Sequence, residues 1–145
     1  MWNKRENLKM KLKKIISKIG TPALLIAVIA MNANAASFSN IYLPIGGLER
    51  ELVKTTKTGD SNPTVKVSTI KKGDGSSSSY TKIKCFVVYG AATEASSHTT
   101  ITLNESKTLS LSSTKYKAKG STLRLKGYGN NPLLACQVSG TFTPN

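Results

Sequence analysis

Two arrangements of apolar residues divide this chain. From Ala23 to Met31 the sequence is an unbroken, uncharged run, Ala-Leu-Leu-Ile-Ala-Val-Ile-Ala-Met. After residue 36 apolar residues come singly, separated by Ser, Thr and Lys. That period of two is the signature of half-buried β-strands, and no long stretch repeats apolar residues at helical spacing.

The alternating part predicts its strands one by one. Phe38 to Leu43 reads as a first strand, ended by Pro44 and Gly46-Gly47. Leu48 to Lys57 stays open, because Glu49-Arg50-Glu51-Leu52-Val53 suits a helical turn and Val53-Lys54-Thr55-Thr56 suits a strand. Thr64 to Ile70 places Val65, Val67 and Thr69 on one face and Lys66 and Ser68 on the other. Tyr80 to Tyr89 is the strongest strand, with Ile83, Cys85, Val87 and Tyr89 on one side. Its other side runs Lys82, Lys84, Phe86, Val88, charged and then apolar, which predicts burial on both faces towards Gly90. Further strands are expected at His98 to Leu103, at Thr108 to Leu111, around Leu123 and Leu125, and at Leu134 to Phe142. Gly59 to Pro63, Lys71 to Ser79, Asn104 to Lys107 and Gly129 to Pro132 are the turns between them, the second an exposed, serine-rich hairpin loop. Six or seven short strands joined by polar turns predict an all-β fold, an antiparallel β-sandwich (Ig-like) or a small barrel.

The uninterrupted run belongs to a different category. Lys9, Lys11, Lys13, Lys14 and Lys18 precede it, and Asn32-Ala33-Asn34-Ala35 follows it with small residues at the two positions a signal peptidase reads. A membrane span needs roughly 20 apolar residues, about twice what is present. Residues 1–35 therefore read as a cleaved secretory signal helix, and 36–145 as a single secreted domain. Met10 is a second candidate start, because Met10-Lys11-Leu12-Lys13-Lys14 is a usual opening for such a leader. The expected location is extracellular.

Removing the leader changes the charge and the meaning of the cysteines. The 110 remaining residues hold 14 lysines and arginines against six acids, a net charge of +8. Cys85 and Cys136 stand 51 positions apart, and an oxidising exterior favours a disulfide between them. Such a loop closure stabilises by about 4 kcal/mol in the chain-entropy view. Two buried free thiols are the alternative. With no C-x-x-C and one histidine, a redox or metal site is not expected.

Candidate chemistry is sparse. His98 lies among Ser96, Ser97, Thr99 and Thr100, but neighbours along a strand point to opposite faces, so a solvent-facing histidine is the simpler reading. No phosphate loop or cofactor fingerprint is present, so no cofactor or metal is expected and the protein reads as a non-enzyme. The basic residues carry more direction. Lys115, Lys117 and Lys119 alternate, and an extended strand would put all three on one face. Lys82 with Lys84, and Arg124 with Lys126, do the same. A shared sheet would give them a positive outer surface that attracts an anionic cell-envelope polymer or lipid. The plain alternative is a solvated face that lysine protects from edge aggregation. Nucleic acid is not expected, since Tyr116 and Tyr128 are the only aromatics beside the C-terminal lysines.

Pro63-Thr64-Val65-Lys66-Val67-Ser68, Leu123-Arg124-Leu125-Lys126-Gly127 and the ending Val138-Ser139-Gly140-Thr141-Phe142-Thr143-Pro144-Asn145 resemble segments of a group of small secreted β-proteins of unknown function from Firmicutes. Phe38-Ser39-Asn40-Ile41-Tyr42-Leu43-Pro44 is similar to that group's first strand. The group is similar in plan to the lactococcin-like bacteriocins. The resemblance implies an exported, basic β-sandwich and brings no site residues with it. Cys85 and Cys136 are a departure from its pattern. The expected function is thus that of a secreted cationic protein, bacteriocin-like or binding the Gram-positive envelope. The rival is a secreted protein-binding module, an inhibitor or adhesin that engages a surface protein through an edge strand or the Lys71–Ser79 loop. A hydrolase built on His98 is the third reading.

Overall fold

The computed structural model describes residues 35–145. The predicted leader lies outside the described residues, apart from Ala35. Nine strands follow in order: β1 (Ala36–Leu43), β2 (Arg50–Thr56), β3 (Thr64–Lys72), β4 (Lys82–Tyr89), β5 (Thr93–Glu94), β6 (Thr99–Thr102), β7 (Ser106–Thr108), β8 (Thr122–Gly129) and β9 (Cys136–Thr143). A 3-10 turn, Ile45–Gly47, follows β1, and one short helix, α1 (Thr114–Lys117), precedes β8. One sheet has the order β1-β9-β3-β7 and the other β2-β8-β4-β5, with β6 also on β4. All pairings are antiparallel. The two sheets pack together as the expected all-β sandwich. The two-residue β5 was not expected, and the strand expected at Thr108 to Leu111 is replaced by β7, three residues long, which begins inside the expected Asn104–Lys107 turn, while Leu111 makes only an isolated bridge to Ser96.

The core is the pair of inward faces that alternation creates. Phe38, Leu43, Val65, Val67, Ile70, Val138 and Phe142 come from one sheet. Leu52, Ile83, Cys85, Val87, Ile101, Leu123 and Leu125 come from the other. Leu48 to Lys57, ambiguous in sequence, resolves as β2, with Leu52 buried against the core. The predicted inward set of β3 needs one correction. A bulge between Val67 and Thr69 shifts the phase, so Ile70 points inward and Thr69 is exposed.

Close approach at Gly140 holds the first sheet together. Gly140 lies between Phe38 on β1 and Val67 on β3. A Cβ there would collide with the Lys66 carbonyl oxygen and come within 2.7 Å of Phe38 Cζ. The missing side chain lets the Phe38 ring fold over the middle of β9. Past Gly140, β1 bulges at Ser39 and Asn40; Asn40 adopts a φ of 51° and its N–H donates to Ser139 Oγ at 2.9 Å. Asparagine tolerates that left-handed conformation better than most residues.

One buried polar group was not legible in the sequence. Lys57, directly after β2, is only 1% exposed. Its Nζ donates to the carbonyl oxygens of Ser61 (2.5 Å), Pro144 (2.7 Å) and Asn145. Burial pushes its pKa down, partly opposed by Asp60. This one ammonium ties the β2–β3 turn to the segment after β9.

The expected Cys85–Cys136 disulfide does not form. Both thiols are free and buried. Cys85 is on β4, beside Gly127 of β8, whereas Cys136 opens β9 in the opposite sheet, between Leu43 and Lys72. Facing sheets stand about 10 Å apart, beyond the roughly 4.4–6.8 Å between Cα atoms that a disulfide spans. Inward alternation, rather than pairing, placed both cysteines, and each acts as a small core residue.

Two outcomes follow from these contacts. Gly140→Ala should lower stability by about 1–3 kcal/mol or more, read as a drop in urea midpoint; an unchanged midpoint would refute the role of the Phe38 contact. Burial pushes the Cys85 thiol up to about 12, against 9.0 for the free group. Its contribution to stability is therefore intact below pH 9 and lost as pH rises from 9 towards 12. Cys85→Ala should show a shallower alkaline loss of stability than the wild type across that window, whereas parallel curves would contradict the assignment.

Candidate functional site

Four of the seven predicted basic residues share one surface. Lys82 and Lys84 on β4 and Arg124 and Lys126 on β8 all point away from the core, on the outer face of the second sheet. Lys54 of β2, opposite Arg124, joins them. Arg124 and Lys126 are not free charges. Arg124 Nη1 donates to Glu51 Oε2 at 2.7 Å, and its Nε to the Gly90 carbonyl at 2.8 Å. Lys126 Nζ lies 3.8 Å from Glu49 Oε2.

Lys115, Lys117 and Lys119 do not belong to that surface, and the expected extended strand is absent. Residues 114–117 form α1, whose N-cap Ser113 accepts the Lys115 N–H at 3.3 Å. The helix turns Tyr116 onto the core, where its ring meets Tyr89 at 4.9 Å. Lys115 Nζ lies 5.8 Å from the Tyr89 ring, and the Lys119 N–H donates to Asp60 Oδ1 at 3.2 Å. The legible signal was Ser113, a preferred N-cap residue.

The outer face of the second sheet also carries a small apolar island. Phe86 and Val88 are each 2% exposed although they face away from the main core. His98 stacks on Phe86 with ring centroids 4.1 Å apart and planes within 7°. Its Nδ1 is 2.8 Å from the Tyr128 hydroxyl and its Nε2 is 3.3 Å from Glu94 Oε1. Both contacts are met when the Nε2–H donates to Glu94 and Nδ1 accepts from the Tyr128 hydroxyl. Burial, reinforced by Glu49 and Glu94, raises the Tyr128 pKa and keeps that hydroxyl protonated. No serine or threonine is hydrogen-bonded to His98 among the described residues; Ser96 Oγ accepts the Val87 N–H and donates to the Ser97 carbonyl. The histidine serves as a lid over Phe86.

A concavity lies at one end of the sandwich, where the chain enters β4 and leaves β8. It is a cleft of about 200 Å3. Ser79, Tyr80, Thr81 and Lys82 line it as the chain enters β4, and Gly129, Asn130 and Asn131 as it leaves the neighbouring β8. Leu134 and Cys136 complete the lining. The turn is held by Asn131, whose Oδ1 accepts the Leu133 N–H at 2.9 Å. Lys72 is the backbone partner of Cys136, so the end of β3 flanks the same opening. Lys82 was expected as a surface charge; the cleft it lines depends on the β4–β8 register, which alternation does not encode. Among the described residues no three of His, Cys, Asp and Glu gather where they could hold a metal ion.

Comparison with protein-family models, curated proteins and solved structures gave no match.

The two thiols should differ sharply in reactivity. Cys136 lines the cleft, whereas Cys85 is sealed between Leu52 and Gly127. A small alkylating reagent at neutral pH should modify Cys136 first and reach Cys85 only on unfolding. Mass spectrometry after native labelling checks the order; equal labelling of both would show that the core is open at Cys85.

Proposed function

We propose that this chain is a secreted, non-enzymatic cationic protein that captures anionic polymer or lipid of the cell envelope, in the manner of a bacteriocin or an envelope-binding module. The observation that carries the reading is an imbalance of partners. All six acidic side chains of residues 36–145 are engaged. Glu49, Glu51, Glu94 and Glu105 face Lys126, Arg124, His98 and Lys107. Asp60 accepts from Lys119 N–H and Asp74 from Ser76. Eleven lysines and arginines, Lys82, Lys84, Lys115, Lys117 and Lys119 among them, have no ion pair among the described residues, and all but the buried Lys57 lie at the surface. They are spread over both sheets and α1, so the attraction is a field around the domain more than a single docking face. A lysine near an anionic membrane is worth about 1 kcal/mol.

Binding to phosphatidylglycerol-containing vesicles or to an anionic wall polymer should be tight in low salt and fall steeply as salt rises, since exposed charges are screened. Co-sedimentation across a salt series reads this directly, and binding that stays constant at high salt would count against electrostatic capture.

A second reading has one observation in its favour. Ile45, Leu48 and Leu133 are exposed apolar residues, Leu133 to 81%. The loops that carry Ile45 and Leu133 are joined by the Gly46 N–H to Pro132 carbonyl bond, at 2.6 Å. A protein partner, rather than a polyanion, would use such a patch. Absence of vesicle and polymer binding at every salt concentration would favour it.

A further inference from the structure

The cleft at the end of the sandwich differs in chemistry from the diffuse positive surface. The polar residues that line it are Ser79, Thr81, Asn130, Asn131 and Lys82, two with hydroxyls, two with carboxamides and one with an ammonium. Leu134 and Cys136 supply an apolar part, with the Tyr80 ring beside them. No carboxylate lines it. The nearest acid in the adjoining hairpin, Asp74, is turned to its own loop, where it accepts from Ser76 Oγ at 2.7 Å and Ser76 N–H at 2.9 Å. At about 200 Å3 the space is below the several hundred Å3 of a drug-sized site, and suits a single small unit.

Shape and chemistry together narrow the ligand. Hydroxyls and carboxamides both donate and accept, which matches a polyol and not a hydrocarbon chain. Lys82, the one charged residue among those that line the cleft, matches one anionic group next to that polyol. A concave site with few placed polar groups orients a ligand, which a field of dispersed lysines does not do.

We propose that this cleft is a recognition subsite for one polyol phosphate unit, with Lys82 on the phosphate and Asn130, Asn131, Ser79 and Thr81 on the hydroxyls. This rests on the reading of the protein as a binder of anionic envelope material, and adds selectivity to it. Glycerol phosphate is the simplest such unit. It occurs both as a lipid headgroup and as the repeat of an anionic polymer, and the cleft chemistry is the same for either source.

The test is an amide-shift titration by NMR on the protein recovered after expression of the full chain. The probes are sn-glycerol 3-phosphate, inorganic phosphate and glycerol, each alone. Glycerol phosphate should give saturable shifts confined to Ser79–Lys82 and Gly129–Asn131. Lys82→Gln and Asn130→Asp should each weaken it at least tenfold. Both positions are exposed, so folding is preserved, and an unchanged amide spectrum without ligand verifies this. Lys54→Gln removes the same charge at the far end of β8 and should leave the shifts intact. Competition by phosphatidylglycerol vesicles or by soluble poly(glycerol phosphate) then names the source.

The inference is overturned if inorganic phosphate binds as well as glycerol phosphate, or if shifts spread over all exposed lysines and ignore Asn130→Asp. Salt-sensitive polymer binding without cleft shifts would sink the subsite and leave electrostatic capture standing. Loss of both would sink both.

Discussion

The inward alternation of apolar residues on β8 and β9 is the constraint on which the other features depend. Each of these strands is central in its sheet, with partners on both edges. Leu123 and Leu125 of β8 meet Val138 and Phe142 of β9 in one apolar layer. Because a strand reverses its side chains at every residue, fixing these four inward also fixes Arg124, Lys126 and Tyr128 outward. The same rule put Cys85 and Cys136 in the core of opposite sheets, and so kept them apart. The charge pattern of the surface is in this sense a by-product of how the core is filled.

Much of this was readable from the sequence, and the exceptions have distinct physical origins. Val65, Val67, Ile83 and Val87 were placed on the correct face by alternation alone, and the strands that carry Leu123, Leu125 and Val138 were found by the same pattern. Double-sided burial of β4 followed from Phe86 and Val88, although the lid that covers Phe86, His98, comes from a segment with no apolar signal. Thr69 was misplaced because one bulge changes the phase of everything after it, and a bulge leaves no trace in a pattern of Ser, Thr and Val. The three alternating lysines of 115–119 misled for another reason. Alternation of charge defines a strand only if the residues between are apolar and paired, and Tyr116 is anchored by α1 instead.

The cysteines illustrate the limit of arguing from compartment. An oxidising exterior makes a disulfide favourable, but sheet geometry decides whether two thiols can meet. The cleft was invisible for a related reason. Ser79 to Lys82 and Gly129 to Asn131 are about 50 residues apart, and only the β4–β8 register, Ile83 against Gly129, brings them to one opening. Lys57 is the opposite case, a lysine with no sequence mark of burial, retained because three carbonyl groups converge on it. An ammonium can satisfy all three at once, which no apolar side chain could.

The order of strands carries a consequence for the life of the chain before it folds. β1 pairs only with β9, and β2 only with β8. A polypeptide delivered N-terminus first, from a ribosome or through a pore, therefore emerges with its first two strands unmatched. Until residues 122–143 arrive, only the short β4–β5–β6 and β3–β7 ladders can form. Neither sheet has its spine before that moment, and such non-local pairing is intrinsically slow. The topology thus delays closure of both sheets until residues 122–143 are available for pairing.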